Sequence, residues 1–167
     1  MSSIVFVGPP GSGKSTVGRA LAQKLNRNFV DTDAVIEETT GKKIADIFLI
    51  NGEEEFRRIE REVVLSALES QDSVISLGGG SVLDEDVQSA LSSLPEVIFL
   101  DVSISNAAPR VGFNRDRPLL LGNPRQQWIA LMEKRRPIYE RIATRTISTD
   151  NRKAHEIVAE LLPELIR

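Results

Sequence analysis

The sequence predicts an α/β fold, a parallel sheet with helices on both faces, and three observations predict it. Short apolar runs of strand length alternate with helical stretches along the 167 residues. The run from Val97 to Val102 is near-continuous in apolar residues, which marks a strand buried on both faces. The first run, Ile4-Val5-Phe6-Val7, passes through Gly8-Pro9-Pro10-Gly11-Ser12-Gly13 straight into a helical stretch.

The elements follow in order. Gly8, Gly13, Lys14 and Ser15 fit G-x-x-x-x-G-K-[ST], a phosphate-binding turn. Its glycines let the backbone form a nest of inward N–H groups, and the next helix adds free donors and partial positive charge at its start. Pro9 and Pro10 lack N–H groups but precede residues 11–16, the part expected to meet phosphate. Val17, Ala20, Leu21 and Leu25 give the first helix one apolar face. Asn28-Phe29-Val30 reads as a buried strand ending at Asp31-Thr32-Asp33. A helix over 34–39 stops at Gly41, a helical piece over 44–49 carries Phe48, and Gly52 breaks it. Residues 53–68 form a longer helix with Phe56, Ile59, Val63 and Ala67 on one face. A strand over 73–77 precedes Gly78-Gly79-Gly80, and Asp84 caps a helix reaching Leu94. Strand 97–102 leads to a helix from residue 105, then to a polar loop over 112–123 rich in Arg, Gly and Pro. A helix over 125–139, a strand over 144–148 and a helix over 153–166 close the chain.

Composition narrows the function. Hydrophobic content of 41% and charged content of 27% suit a globular core, and a net charge of −3 offers no general footprint for nucleic acid. No apolar run reaches membrane-spanning length, and no signal peptide is read at the start, so a cytoplasmic enzyme acting on nucleotide is the expectation. With no cysteine, thiolate metal sites are excluded.

In a parallel sheet, ligands sit beyond the carboxyl ends of the strands. The phosphate loop, Asp31 and Asp33, and the triple glycine all fall there. Lys14 brings charge to the outer phosphates, and Ser15 offers a hydroxyl for Mg²⁺. Strand three ends without a carboxylate, so Asp31 is the candidate second Mg²⁺ ligand, with helix capping as the alternative. Asp33 can orient a substrate hydroxyl or cap the same helix. Gly78, Gly79 and Gly80 allow a small polar ligand to approach the backbone closely. Arg57, Arg58, Arg135 and Arg136 are all able to grip a carboxylate or phosphate, and periodicity does not choose among them. Arg117, in Asn114-Arg115-Asp116-Arg117-Pro118 between Gly112 and Gly122, suits a mobile lid. His155 reads as surface and Trp128 as packing.

Taken together, these segments resemble the shikimate kinases, in the nucleoside monophosphate kinase-like group. The matching segments run Gly8 to Thr16, Asp31-Thr32-Asp33, Ile44 to Phe48, Gly52-Glu53, Glu55-Phe56-Arg57, Glu60, Ser76 to Gly80, Arg117 to Leu120 and Arg135 to Tyr139. The resemblance implies a single P-loop kinase domain over 1–167 with strand order 2-3-1-4-5, a phosphate loop at 8–16, a substrate region over 32–60 and a lid over 111–124. It implies transfer of the γ-phosphate of ATP to the 3-hydroxyl of shikimate, on the route to chorismate and the aromatic amino acids. Lys14, Asp33 and Arg117 match the catalytic positions. Gly11, Ser12, Gly13, Lys14, Ser15, Thr16, Arg110, Arg117 and Arg152 form the ATP set. Asp33, Arg57, Glu60, Gly78, Gly79, Gly80, Arg135, Phe48 and Phe56 form the shikimate set, with Arg135 preferred to Arg136 because Arg-x-Pro-hydrophobic-Tyr runs from Arg135 to Tyr139. Ser15 and Asp31 are the Mg²⁺ set, and a monomer without nucleic-acid or membrane partners is expected. Pro109 departs from the pattern, standing where uninterrupted helix would carry Arg110. The competing expectations are a kinase for another hydroxylated acid such as gluconate, and a non-catalytic nucleotide-binding module.

Overall fold

The computed structural model describes residues 1–111 and 123–166. Five strands, β1 (Ile4–Val7), β2 (Asn28–Asp31), β3 (Ser73–Ser76), β4 (Val97–Asp101) and β5 (Arg145–Ser148), form one sheet in the order β2-β3-β1-β4-β5. Every neighbouring pair is parallel. Consecutive strands therefore need helical crossovers, which cover both faces. The crossovers are α1 (Lys14–Leu25), α2 (Thr32–Thr40), α3 (Ile44–Leu68), α4 (Glu85–Ser92), α5 (Ile104–Val111) and α6 (Pro124–Ile142), and α7 (Ala154–Leu165) follows the last strand.

Strand side chains alternate between two cores. Ile4, Phe6, Val74, Ile98 and Leu100 pack beneath α1 and α7. Val5, Val7, Ile75, Leu77, Val97 and Phe99 pack beneath α3, α4 and α6. A third, small cluster of Ile36, Ile47 and Phe56 joins α2 to α3 and gives residues 32–60 a core of their own.

The element bounds differ from expectation only at the ends. The strands over 73–77 and 97–102 each stop one residue early. The break at Gly52 is real: α3 is one helical element interrupted there, with φ 87° and ψ 168°. Pro109 does not end α5, because in an eight-residue helix only its last turn loses a bond. In α6, Pro137 lies on the exposed face, where water can meet the carbonyl it leaves unbonded. A 3₁₀ turn over Ser81–Leu83 follows the triple glycine and was not foreseen.

Candidate active site

One cavity of about 490 Å³ opens at the carboxyl edge of β1, β2 and β3. Its nucleotide side is the phosphate loop. Gly13, in the left-handed region at φ 91°, precedes α1, and no side chain caps that helix. Its first-turn N–H groups are thus left for an anion. The loop's carbonyls are turned away and occupied. Lys14 Nζ donates to Gly8 O at 2.8 Å and Pro9 O at 3.0 Å. Trp128 Nε1 donates to Pro10 O at 3.0 Å, and Arg110 Nη1 donates to Gly11 O at 3.1 Å.

Asp31 caps α2 with one oxygen and turns the other to Ser15. Oδ1 accepts from the N–H groups of Asp33 (3.0 Å) and Ala34 (3.4 Å), capping α2. Oδ2 accepts from Ser15 Oγ at 2.8 Å, so two hard oxygen donors meet beside the phosphate loop. This donor set fits Mg²⁺, which favours oxygen, keeps several waters and is shared with nucleotide phosphates. Among the described residues no cluster of three acidic or histidine ligands competes for it.

The opposite side of the cavity is floored by the three glycines, and each has at least one charged side chain against it. A Cβ at Gly78 would fall 2.6 Å from Asp33 Oδ1 and 3.1 Å from Glu60 Oε2. At Gly79 it would stand 3.4 Å from Arg135 Nη1, and at Gly80 only 2.5 Å from Arg57 Nη2. The glycines therefore admit Asp33, Glu60, Arg57 and Arg135 to one floor. Arg57 Nη1 pairs with Glu60 Oε1 at 2.7 Å, and Phe48 and Phe56, with ring centroids 4.6 Å apart, form the adjacent apolar wall.

Gly80→Ala should weaken an anionic acceptor held by Arg57 about 10–100-fold, because the new methyl pushes the guanidinium by roughly an ångström. The clash is with the far end of a flexible side chain, so the thermal midpoint and nucleotide affinity should stay near wild type. Separate binding measurements for acceptor and nucleotide check this, and an unchanged acceptor affinity would refute it.

Burial sets the charges. Glu60 is 3% exposed, and desolvation pushes its carboxyl above the usual range, partly offset by Arg57. Arg135 is also 3% exposed, and desolvation lowers its guanidinium from the usual value. Because Glu60 holds its proton more tightly folded than unfolded, the folded state binds more protons as pH rises above the unfolded value. Stability is then lost as pH climbs towards the folded value. The thermal midpoint of the free protein should fall, relative to Glu60→Gln, as pH rises above the ordinary carboxylate range. Parallel melting curves over that rise would sink the prediction.

The structure separates the arginines that sequence left together. Arg135 lines the cavity, whereas Arg136 turns outward to grip Asp101 with two 2.9 Å bonds. Arg58 is exposed and paired with Glu55 and Glu62. Arg152 lies outside the cavity lining, donating to Ser148 O at 3.2 Å and pairing with Glu160. Arg110 binds Thr149 O at 3.1 Å, and the Arg152 N–H donates to the same carbonyl at 3.3 Å, so both border one loop. Arg117, and the expected lid apart from Val111, Asn123 and Pro124, fall outside the described residues. His155 is exposed.

Some contributors were not singled out from sequence. Glu37, Ile44 and Leu131 also line the cavity. Thr32, fully buried, donates to Ser76 O and accepts from Gly78 N, both at 3.3 Å. Its place inside Asp-Thr-Asp was the only available signal.

A family model described as shikimate kinase matches residues 10–166. A shikimate kinase of Thermobifida fusca is 49% identical over 162 residues, covering 95% of this chain and 94% of its own. The structure of a shikimate kinase from Acinetobacter baumannii in complex with shikimate superposes with a TM-score of 0.95 at 34% identity, covering 99% of this chain and 93% of its own. A gluconokinase from Sinorhizobium meliloti, at 23% identity and a TM-score of 0.63 over 99% of this chain and 92% of its own, shares the fold.

Proposed function

The chain belongs to the shikimate kinase family, and we propose how its residues divide the work of that reaction. It transfers the γ-phosphoryl group of ATP to shikimate, giving shikimate 3-phosphate and ADP on the route to chorismate. The observation that carries the residue assignment is the convergence of Asp33, Arg57 and Arg135 on the glycine floor, in the same cavity as Lys14.

Shikimate is a ring with one carboxylate and several hydroxyls. Arg57 and Arg135 hold the carboxylate by charge-assisted hydrogen bonds, Glu60 steadies Arg57, and Phe48 and Phe56 line the ring. Asp33 accepts a hydrogen bond from the reacting hydroxyl and aims its oxygen at the γ-phosphorus. As the new O–P bond forms and the bond to the β-phosphate oxygen breaks, the hydroxyl proton passes to Asp33 or to water. Residues 11–16 cradle the phosphates, with Lys14 and Arg117 neutralising charge as it moves towards ADP. Ser15 and Asp31 hold Mg²⁺, which supplies further neutralisation of the phosphates when bound. Arg110 and Arg152 border the base end.

ADP release with MgATP tests it, measured with shikimate, gluconate and quinate in parallel. Turnover of about 1–100 s⁻¹ with shikimate, and little with the others, is the expected result. Preference for gluconate or quinate would overturn the acceptor assignment.

A further inference from the structure

Helix α6 carries more of the site than Arg135. Its buried residues are Trp128, Met132, Arg135, Tyr139 and Ile142, spaced four, three, four and three. That spacing puts all five on one stripe. Besides Arg135, two of them end in a hydrogen-bond donor, and each of these two meets a backbone carbonyl of a different substrate site. At one end Trp128 Nε1 donates to Pro10 O of the phosphate loop at 3.0 Å. About 16 Å further along the helix, Tyr139 Oη donates to Gly79 O of the glycine floor at 2.5 Å. Trp128 is 4% exposed and Tyr139 fully buried, so water cannot replace either donor.

We propose that Trp128 and Tyr139 are positioning residues, and that α6 acts as a ruler fixing the phosphate loop and the shikimate floor relative to each other. This rests on the functional reading above. The reasoning is geometric. A peptide's carbonyl and the following N–H point in opposite directions across one rigid plane. Holding Pro10 O outward aims the Gly11 N–H towards the cavity, and holding Gly79 O aims the Gly80 N–H. Pro10, without an N–H, and Gly79, without a side chain, have few other means of fixing that plane. Phosphoryl transfer depends on placing donor and acceptor in line, so Trp128 and Tyr139, gripping the backbone of both sites, supply alignment without themselves touching either substrate. Phe99, with its ring centroid 5.0 Å from that of Tyr139, and Met132 seat the helix on the sheet and keep the ruler straight.

The test is a pair of substitutions that remove the donors, Trp128→Phe, which also trims one ring, and Tyr139→Phe, which also removes the hydroxyl beside Arg135, with MgADP and shikimate binding measured separately by calorimetry. Trp128→Phe should weaken MgADP on the order of tenfold and leave shikimate within twofold, since an unmet buried carbonyl disturbs only the loop it belongs to. Tyr139→Phe should show the reverse. Equal loss of both ligands in either variant, or no loss at all, overturns the proposal. Should either variant fail to fold, wild type supplies a second readout, because Trp128 is its sole tryptophan. Its emission should shift on MgADP addition with the calorimetric midpoint, and an emission indifferent to MgADP overturns the Trp128 half. If wild type binds MgADP but not shikimate, the functional reading fails instead, and the Trp128 arm still decides whether the loop is held as described.

Discussion

Asp33→Asn should lower kcat with shikimate by about 10²–10⁴-fold while leaving MgADP affinity unchanged. Asparagine keeps the size and shape of the side chain and loses its charge and its capacity to take a proton. The change is therefore confined to chemistry, because the local backbone is held by other groups. The Asp33 N–H is bound by Asp31 Oδ1, and α2 packs through Ile36 against Ile47 and Phe56. A Cβ at Gly78 would fall 2.6 Å from Asp33 Oδ1 and 3.1 Å from Glu60 Oε2, so the side chain is closely seated against the glycine. The magnitude discriminates between roles. A carboxylate that only orients the hydroxyl loses about one hydrogen bond to a charged group, roughly 1.5–3 kcal/mol, when replaced by amide. That loss would appear in KM as well as kcat. A group that also takes the proton loses more, almost all of it in kcat. Steady-state kinetics of the variant against wild type decides, and a kcat within tenfold of wild type would remove Asp33 from the chemistry.

Much of this site was legible in the sequence because its motifs encode backbone geometry. Gly-x-x-x-x-Gly-Lys-Ser can only follow a strand and open a helix, and that fixed one wall of the cavity. Near-continuous apolar runs fixed a parallel sheet, which then brought Asp31 and the triple glycine to the same edge. What periodicity could not supply was the direction of individual charged side chains. Arg135 and Arg136 are neighbours in sequence, and only the stripe of α6 that meets the sheet tells which is buried. Asp31 looked like a choice between cap and metal ligand, yet a carboxylate has two oxygens: one caps α2 and the other accepts from Ser15 Oγ, so the cap does not use up the carboxylate. Trp128 read as packing because an indole in an apolar stripe usually is. Its hydrogen bond to Pro10 spans 118 residues of sequence, a distance at which no local pattern carries information. The glycines were legible as places of close approach, but not as three separate seats for Asp33 with Glu60, Arg135 and Arg57.

Arg135→Met should raise the shikimate KM about 10–150-fold, the loss of hydrogen bonds between charged groups worth about 1.5–3 kcal/mol. The same substitution should raise the thermal midpoint of the free protein. The guanidinium is almost fully buried, its Nε meets no acceptor among the described residues, and desolvation already lowers its pKa. A buried cation that waits for a substrate carboxylate costs stability until that carboxylate arrives, and an apolar side chain of similar length removes the cost. Met should not orphan a counter-charge, because Glu60 keeps its 2.7 Å bond to Arg57. A gain of about 1 kcal/mol corresponds to about 2–4 °C for a chain of this size. Arg136→Ala is the matched control. Its two bonds to Asp101 lie between groups that are 39% and 28% exposed, so removal should cost at most about 1 kcal/mol and leave the shikimate KM unchanged. The two neighbours then move the two observables in opposite senses: one variant binds shikimate poorly and melts higher, the other binds normally and melts slightly lower. Scanning fluorimetry with shikimate kinetics reads both. An unchanged KM in Arg135→Met would remove Arg135 from the carboxylate site, and a midpoint several degrees below wild type would make its guanidinium a structural group rather than a cost carried for binding.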